Sequence, residues 1–189
     1  LETEEATEQF YDEHGREWTE SDLEQIYTDF YSLLNEVVVQ DELASPVSGA
    51  KETVDRLQTE GKLVSNTTGY AKETAETLNR KLVEEFGLEL DFMTHSDAVE
   101  TGRPAPWMIY QGMRELGVYP PKAVIKIGDT SKDIAEGISA GAWTVGLYRT
   151  GNDSFDELQD AGADYLIPSI REVPGVVREI EHRLHHGDY

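Results

Sequence analysis

The sequence predicts an α/β fold, a parallel sheet with helices on both faces in a Rossmann-like arrangement, and three observations predict it. Short apolar runs alternate with segments of helical periodicity from residue 45 to residue 184, and strands separated by helices imply βαβ units. Apolar runs lead directly into polar residues at 67–70 and at 128–130, which is where a sheet of this kind presents its carboxyl rim to ligands. The 189-residue length suits one such domain with a small appended part.

Residues 1–18 are acidic, with scattered aromatics (Phe10, Tyr11, Trp18) and a weak helical signal. Leu23, Ile26, Tyr27, Phe30, Leu33, Leu34 and Val37 recur at helical spacing, which predicts a helix over about 22–38. Ser21 and Glu24 have the spacing of a capping box at its start. Residues 41–48 form a linker containing Pro46 and Ser48. A helix over 49–60 should end at Gly61. A strand over 62–66 should lead into the loop Thr67-Thr68-Gly69-Tyr70, followed by a helix over 71–86 with Ala75, Leu78, Leu82 and Phe86 on one side. A short strand at 92–94 precedes a loop through Gly102, Arg103 and Pro104, and Pro106 suits the first turn of a helix reaching 116. Further strands are expected over 123–128, 143–147 and 165–167, and helices over 132–140 and 174–184.

The composition excludes several functions. There are 38 acidic and 16 basic residues, a net charge of -22. Such a field repels nucleic acid and anionic membranes, so neither is an expected partner. No apolar run approaches the roughly 20 residues that span a bilayer, and the acidic start is unlike a signal peptide. Absence of cysteine rules out disulfides, thiolate metal sites and a cysteine nucleophile in these residues, in keeping with a cytoplasmic protein. The acids are spread along the chain rather than gathered in a tail. That favours adaptation to high salt over a single acidic docking face. A higher melting temperature in molar KCl than in dilute buffer is therefore expected, and a scan without such a rise would contradict it.

Three features carry chemistry. In Ile127-Gly128-Asp129-Thr130-Ser131-Lys132-Asp133 an apolar strand ends in Gly-Asp, and a second Asp follows four residues later. Hard carboxylate oxygens at a sheet rim suit Mg²⁺, which takes one or two protein carboxylates and keeps several waters. A simple helix cap by Asp129 or Thr130 is the plainer reading. Thr68 lies between a strand and a helix. Its hydroxyl, the Gly69 amide and the helix N-terminus can serve one phosphoryl oxygen, or Thr68 can be an ordinary N-cap. Arg103, between Gly102 and Pro104, offers a fork that matches phosphoryl oxygens, although most single loop arginines are only solvated. Trp107 and Trp143 read as core packing and Lys126 as structural. His14 and His95 read as incidental, and His182, His185 and His186 near the tail show no ligand spacing.

A strand-end hydroxyl, a loop cation and a strand-end Asp pair, in that order, resemble the second, third and fourth motifs of the haloacid dehalogenase superfamily. The resemblance narrows to the phosphonoacetaldehyde hydrolase (phosphonatase) family over Thr67-Thr68-Gly69-Tyr70, Gly102-Arg103-Pro104-Ala105-Pro106-Trp107-Met108, Glu115-Leu116-Gly117-Val118-Tyr119-Pro120, Ile125-Lys126-Ile127-Gly128-Asp129-Thr130 and Gly141-Ala142-Trp143-Thr144-Val145-Gly146. It is dense over 45–146, weaker over the helix at 19–38, and thin after Leu147. It implies Mg²⁺-dependent cleavage of the carbon–phosphorus bond of a small phosphonate. Thr68, Gly69 and Tyr70 would lie at the phosphonyl group and Arg103 would neutralise its charge. Asp129 would ligate Mg²⁺, and Asp133 would orient the metal site or the arginine. Residues 1–44 would be a remnant of a helical cap and 45–189 the core.

The family's nucleophile belongs to an Asp-x-Ala-Gly-Thr segment on the first strand, and its imine-forming lysine to the early cap. Neither motif occurs in the 189 residues. The resemblance therefore implies a piece of a longer chain, inactive alone, whose sheet is split where the first strand would lie in its middle. A homodimer formed through caps is a further expectation from the family. Two other readings stay open: a phosphatase or phosphomutase of the same superfamily, and a non-catalytic phosphate-binding or interaction module. The residues encoded just upstream discriminate them. Asp-x-Ala-Gly-Thr followed by a lysine fits the first reading, Asp-x-Asp the second, and a start codon at Leu1 the third.

Overall fold

A computed structural model describes Gly15, residues 19–39 and residues 45–187. Phe10, Tyr11, His14 and Trp18 lie outside them. The chain divides into two compact units, Leu1–Ala44 and Ser45–Tyr189. In the first, helix α1 spans Glu20–Val39. Its cap is not Ser21 with Glu24 but Thr19 with Asp22. The Asp22 amide donates to Thr19 Oγ1 at 3.3 Å, and Thr19 N donates back to Asp22 Oδ2 at 2.8 Å. Aspartate three residues after threonine closes the same reciprocal box as glutamate, so the helix starts earlier than its apolar stripe.

The second unit contains α2 (Ala50–Thr59), β1 (Ser65–Thr68), α3 (Lys72–Phe86), β2 (Phe92–His95), α4 (Trp107–Leu116) and β3 (Ile125–Gly128). It continues with α5 (Ser131–Ala140), β4 (Trp143–Leu147), α6 (Phe155–Asp160), β5 (Tyr165–Ile167) and α7 (Val173–His186). The predicted α/β class holds. All strand pairs are parallel and fall into two sheets, β1–β2 and β3–β4–β5.

Strand β1 lies later than its apolar residues suggest. Thr67 and Thr68 pair with Thr94 and His95 and belong to the strand, not to a loop. Parallel pairing sets that register, and it overrides the polarity of the Ser-Asn-Thr-Thr run. Helix α6 was not legible from apolar periodicity because six residues give too short a stripe. Its signal was the capping box: the Glu157 amide donates to Ser154 Oγ at 3.3 Å, and Ser154 N donates to Glu157 Oε2 at 2.8 Å.

Alternation along the strands sets the two faces. Trp143, Val145 and Leu147 of β4 point to one side and pack with Val173, Val177 and Ile180 of α7. Ile125 and Ile127 of β3 join that cluster. Lys126 and Gly128, the alternate residues of β3, therefore face α5 on the other side. Trp143 is buried, as expected. Trp107 is not: it is 50% exposed. It opens α4 on the same side as Tyr110, whose ring it meets edge-on at 6.0 Å, while Met108, Ile109 and Gly112 take the buried face. No helix among the described residues is long and apolar enough to cross a membrane.

Candidate active site

Between β1 and β3 lies a groove of about 620 Å³. Leu63–Thr67 and Val124–Asp129 form its two sides, α7 residues (Val173, Val177, Ile180) one wall, and α4 residues (Ile109, Met113, Leu116) the other. Arg103, Asp129 and Asp133 line it, and Asp129 directly follows the carboxyl end of β3.

Asp133 is the hub. It stands on the first turn of α5, three residues after the N-cap Thr130. Its buried carboxylate accepts from Arg103 Nη1 at 2.7 Å and from the Thr130 hydroxyl at 2.6 Å, and it lies 3.1 Å from Lys126 Nζ. Burial alone would raise its pKa. The Lys126 ammonium, the Thr130 hydroxyl and the Arg103 guanidinium outweigh burial and hold the carboxyl below its ordinary value. Its folded-state pKa is thus depressed. The stability contributed by the ionised form is present above about pH 4 and is lost as the pH falls through the lower folded value. Stability measured by urea unfolding should therefore drop less steeply on acidification below about pH 4 in Asp133→Asn than in the unmodified chain.

Two glycines permit this packing. A Cβ at Gly128 would lie 2.2 Å from Asp133 Cβ, so the carboxylate's stem occupies the space a side chain would need. A Cβ at Gly69 would lie 2.6 Å from Arg103 Nη2. The guanidinium thus has one nitrogen on Asp133 and the other against the Gly69 backbone, next to Thr68. Thr68 Oγ1 accepts from the Tyr70 amide at 3.2 Å. Helix α3 has Ala71 as its N-cap, so Thr68 does not cap it. Tyr70 is 40% exposed.

Asp129 takes a different environment from Asp133. Asn152 Nδ2 donates to its Oδ2 at 2.7 Å, and its backbone oxygen accepts from Asp153 N at 3.1 Å. No group of three or more His, Cys, Asp or Glu among the described residues can by itself hold a metal ion. A rim carboxylate outside any such group fits a Mg²⁺ that keeps water and ligand oxygens in its shell. It does not fit an all-protein cage. Asp133, already engaged by Arg103, Lys126 and Thr130, is suited to orienting its neighbours.

Lys126 and Glu136 belong to the same cluster, and sequence reasoning missed their part in it. Lys126 Nζ lies 2.7 Å from Glu136 Oε2 and donates to Thr67 Oγ1 at 2.6 Å. A signal existed. Asp133, Glu136, Gly137 and Ala140 fall at the spacing of one helix face, so two carboxylates share the stripe that must bury. His95 is partly buried, and no partner to its buried Nδ1 is present among the described residues. His182 and His186 stack with ring centroids 4.1 Å apart.

The model of the haloacid dehalogenase-like hydrolase family matches residues 1–147. The chain belongs to that family. Among its relatives, this family member is 35% identical over 185 residues to the phosphonoacetaldehyde hydrolase of Bacillus cytotoxicus, covering 86% of this chain and 69% of that one. It is 40% identical over 185 residues to the enzyme of that name from Bacillus cereus, with the same coverage. Among solved structures, it resembles a phosphonoacetaldehyde hydrolase-like protein from Oleispira antarctica with a TM-score of 0.83 and 28% identity, over 95% of this chain and 72% of the other.

Proposed function

We propose that this dehalogenase-family hydrolase acts on phosphonoacetaldehyde, cleaving its carbon–phosphorus bond to give acetaldehyde and phosphate. The observation that carries the reading is the Arg103 guanidinium, held by Asp133 at 2.7 Å and laid against Gly69 beside Thr68. A cation fixed by a carboxylate and laid against a backbone without a Cβ, one residue after the strand-end Thr68, suits a tetrahedral dianion. The run of identity with relatives named phosphonoacetaldehyde hydrolase supports the choice of substrate.

In this reading Thr68 and the Gly69 amide bind phosphonyl oxygens, with Tyr70 at the edge of the site, and Arg103 neutralises their charge. Asp133 keeps Arg103 in place. Asp129 would hold Mg²⁺, which when bound supplies positive charge at the transferring group. The resemblance also calls for a nucleophilic carboxylate in an Asp-x-Ala-Gly-Thr segment and an imine-forming lysine, and that segment does not occur in the 189 residues. A lysine amine condenses with the aldehyde and expels water. The carboxylate then attacks phosphorus and the C–P electrons pass into the imine, leaving an enamine. Protonation and hydrolysis of the enamine release acetaldehyde and the free lysine. Water cleaves the acyl phosphate, giving phosphate and the carboxylate.

The test is turnover in a protein that carries the nucleophile segment. Acetaldehyde and phosphate should appear in equal amounts, and borohydride with substrate should inactivate the enzyme. Phosphate release from phosphomonoesters but not from phosphonoacetaldehyde would sink the reading in favour of a phosphatase. The 189 residues alone are expected to show no turnover.

A further inference from the structure

Lys126 sits in the middle of β3, 8% exposed. Burying an ammonium costs several kcal/mol unless all its donors are paired. Three acceptors surround Nζ: Thr67 Oγ1 at 2.6 Å, Glu136 Oε2 at 2.7 Å and Asp133 Oδ1 at 3.1 Å. An ammonium has three N–H donors, so the site is filled. Glu136 is completely buried, and Thr67 Oγ1 also donates to its Oε2 at 3.2 Å. The other oxygen, Oε1, has no hydrogen-bond partner among the described residues. Glu136 is thus held from one side, by Lys126 and Thr67.

Two cations, Lys126 and Arg103, balance two carboxylates, Asp133 and Glu136. They share one atom: Asp133 Oδ1 is 2.7 Å from Arg103 Nη1 and 3.1 Å from Lys126 Nζ. A charge pair placed for stability alone needs no link to a rim arginine, and apolar residues of similar volume often serve as well. Here the buried pair ends on the oxygen that aims the guanidinium. It also ties β1, through Thr67, to β3 and α5 on the far side of the groove, whereas β1 and β3 have no strand hydrogen bonds with each other.

We propose that Lys126, with Glu136 behind it, is a positioning residue: it fixes Asp133 and thereby sets the Arg103 guanidinium at the phosphoryl site. The inference rests on the proposed role of Arg103. The contact chain runs from Glu136 and Thr67 through Lys126 and Asp133 to Arg103 and Gly69.

The test uses the charge-balanced pair Lys126→Met/Glu136→Gln, which leaves no lone buried charge, in the unmodified chain and in an Asp133→Asn background. Two quantities are read in each: the affinity for inorganic phosphate by calorimetry, and the Arg103 side-chain N–H signals by NMR. The pair is expected to weaken phosphate binding about tenfold and to merge Arg103 Nη signals that are separate in the unmodified chain. In Asp133→Asn it should change neither further, because Lys126 acts through Asp133. Equal losses in both backgrounds, or unchanged affinity and signals in the first, would overturn the proposal. If the unmodified chain does not bind phosphate, the functional reading of Arg103 fails, and the NMR comparison still decides the role of Lys126. Should the pair fail to fold, Thr67→Val keeps every charge and removes one anchor of Lys126. It should merge the same signals in part, and unchanged signals would count against the proposal.

Discussion

Replacing Arg103 with methionine is expected to lower kcat/KM for phosphonoacetaldehyde by on the order of 10³ or more, in a protein carrying the nucleophile, with little change in melting temperature. The size follows from what a single arginine contributes when it meets the charge of a transferring phosphoryl group. Stability should hold because Asp133 keeps the Lys126 ammonium and the Thr130 hydroxyl after the guanidinium is gone. Arg103→Lys should recover only part of the loss. One fork spans Asp133 and the Gly69 side of the site, whereas an ammonium is a point charge on a flexible stem. Steady-state kinetics with a thermal scan checks both statements. A fall in kcat/KM of less than tenfold would remove Arg103 from the site.

Lys126→Met alone is expected to cost about 3–5 kcal/mol of stability, because it leaves Glu136 buried without a cation. Glu136 has no access to solvent, and among the described residues the Thr67 hydroxyl is the donor that remains to it. The companion substitution Glu136→Gln should restore most of the loss by removing the uncompensated charge. Urea unfolding of the single and double variants measures both. If the single variant lost less than about 1 kcal/mol, the cluster would not depend on Lys126 for its charge balance, and the inference drawn from it would weaken.

The fold class and most elements were legible because local signals agree with the tertiary structure. The apolar run Trp143–Leu147 is a strand buried on both faces, and the stripe expected on α3 falls on a helix with Ala75 buried and Leu82 and Phe86 packed against a buried cluster. What was not legible depends on pairing across the chain. Thr67 and Thr68 are polar and short-range rules make them a loop, yet alignment with Thr94 and His95 places them in β1. Trp107 reads as core from its size, but its position on α4 beside Tyr110 puts it at the surface. At the site, Arg103 and Asp133 were each identified from the motifs, and the structure brings them into contact. Glu136 was missed, and Lys126 was read as structural without the buried ion pair that it makes with Glu136. The sheet's alternation, which points Lys126 at α5, and the α5 stripe that carries Asp133 and Glu136 together bring that cation to both carboxylates.

On the proposed function Thr68, Gly69, Arg103 and Asp129 serve one phosphoryl and Mg²⁺ site. Calorimetric titration of inorganic phosphate with and without Mg²⁺ tests it most directly, on the unmodified chain and on Arg103→Met and Asp129→Ala. Mg²⁺ is expected to tighten phosphate binding, Asp129→Ala to abolish the tightening, and Arg103→Met to abolish binding in either condition. Phosphate binding that is indifferent to both substitutions would contradict it.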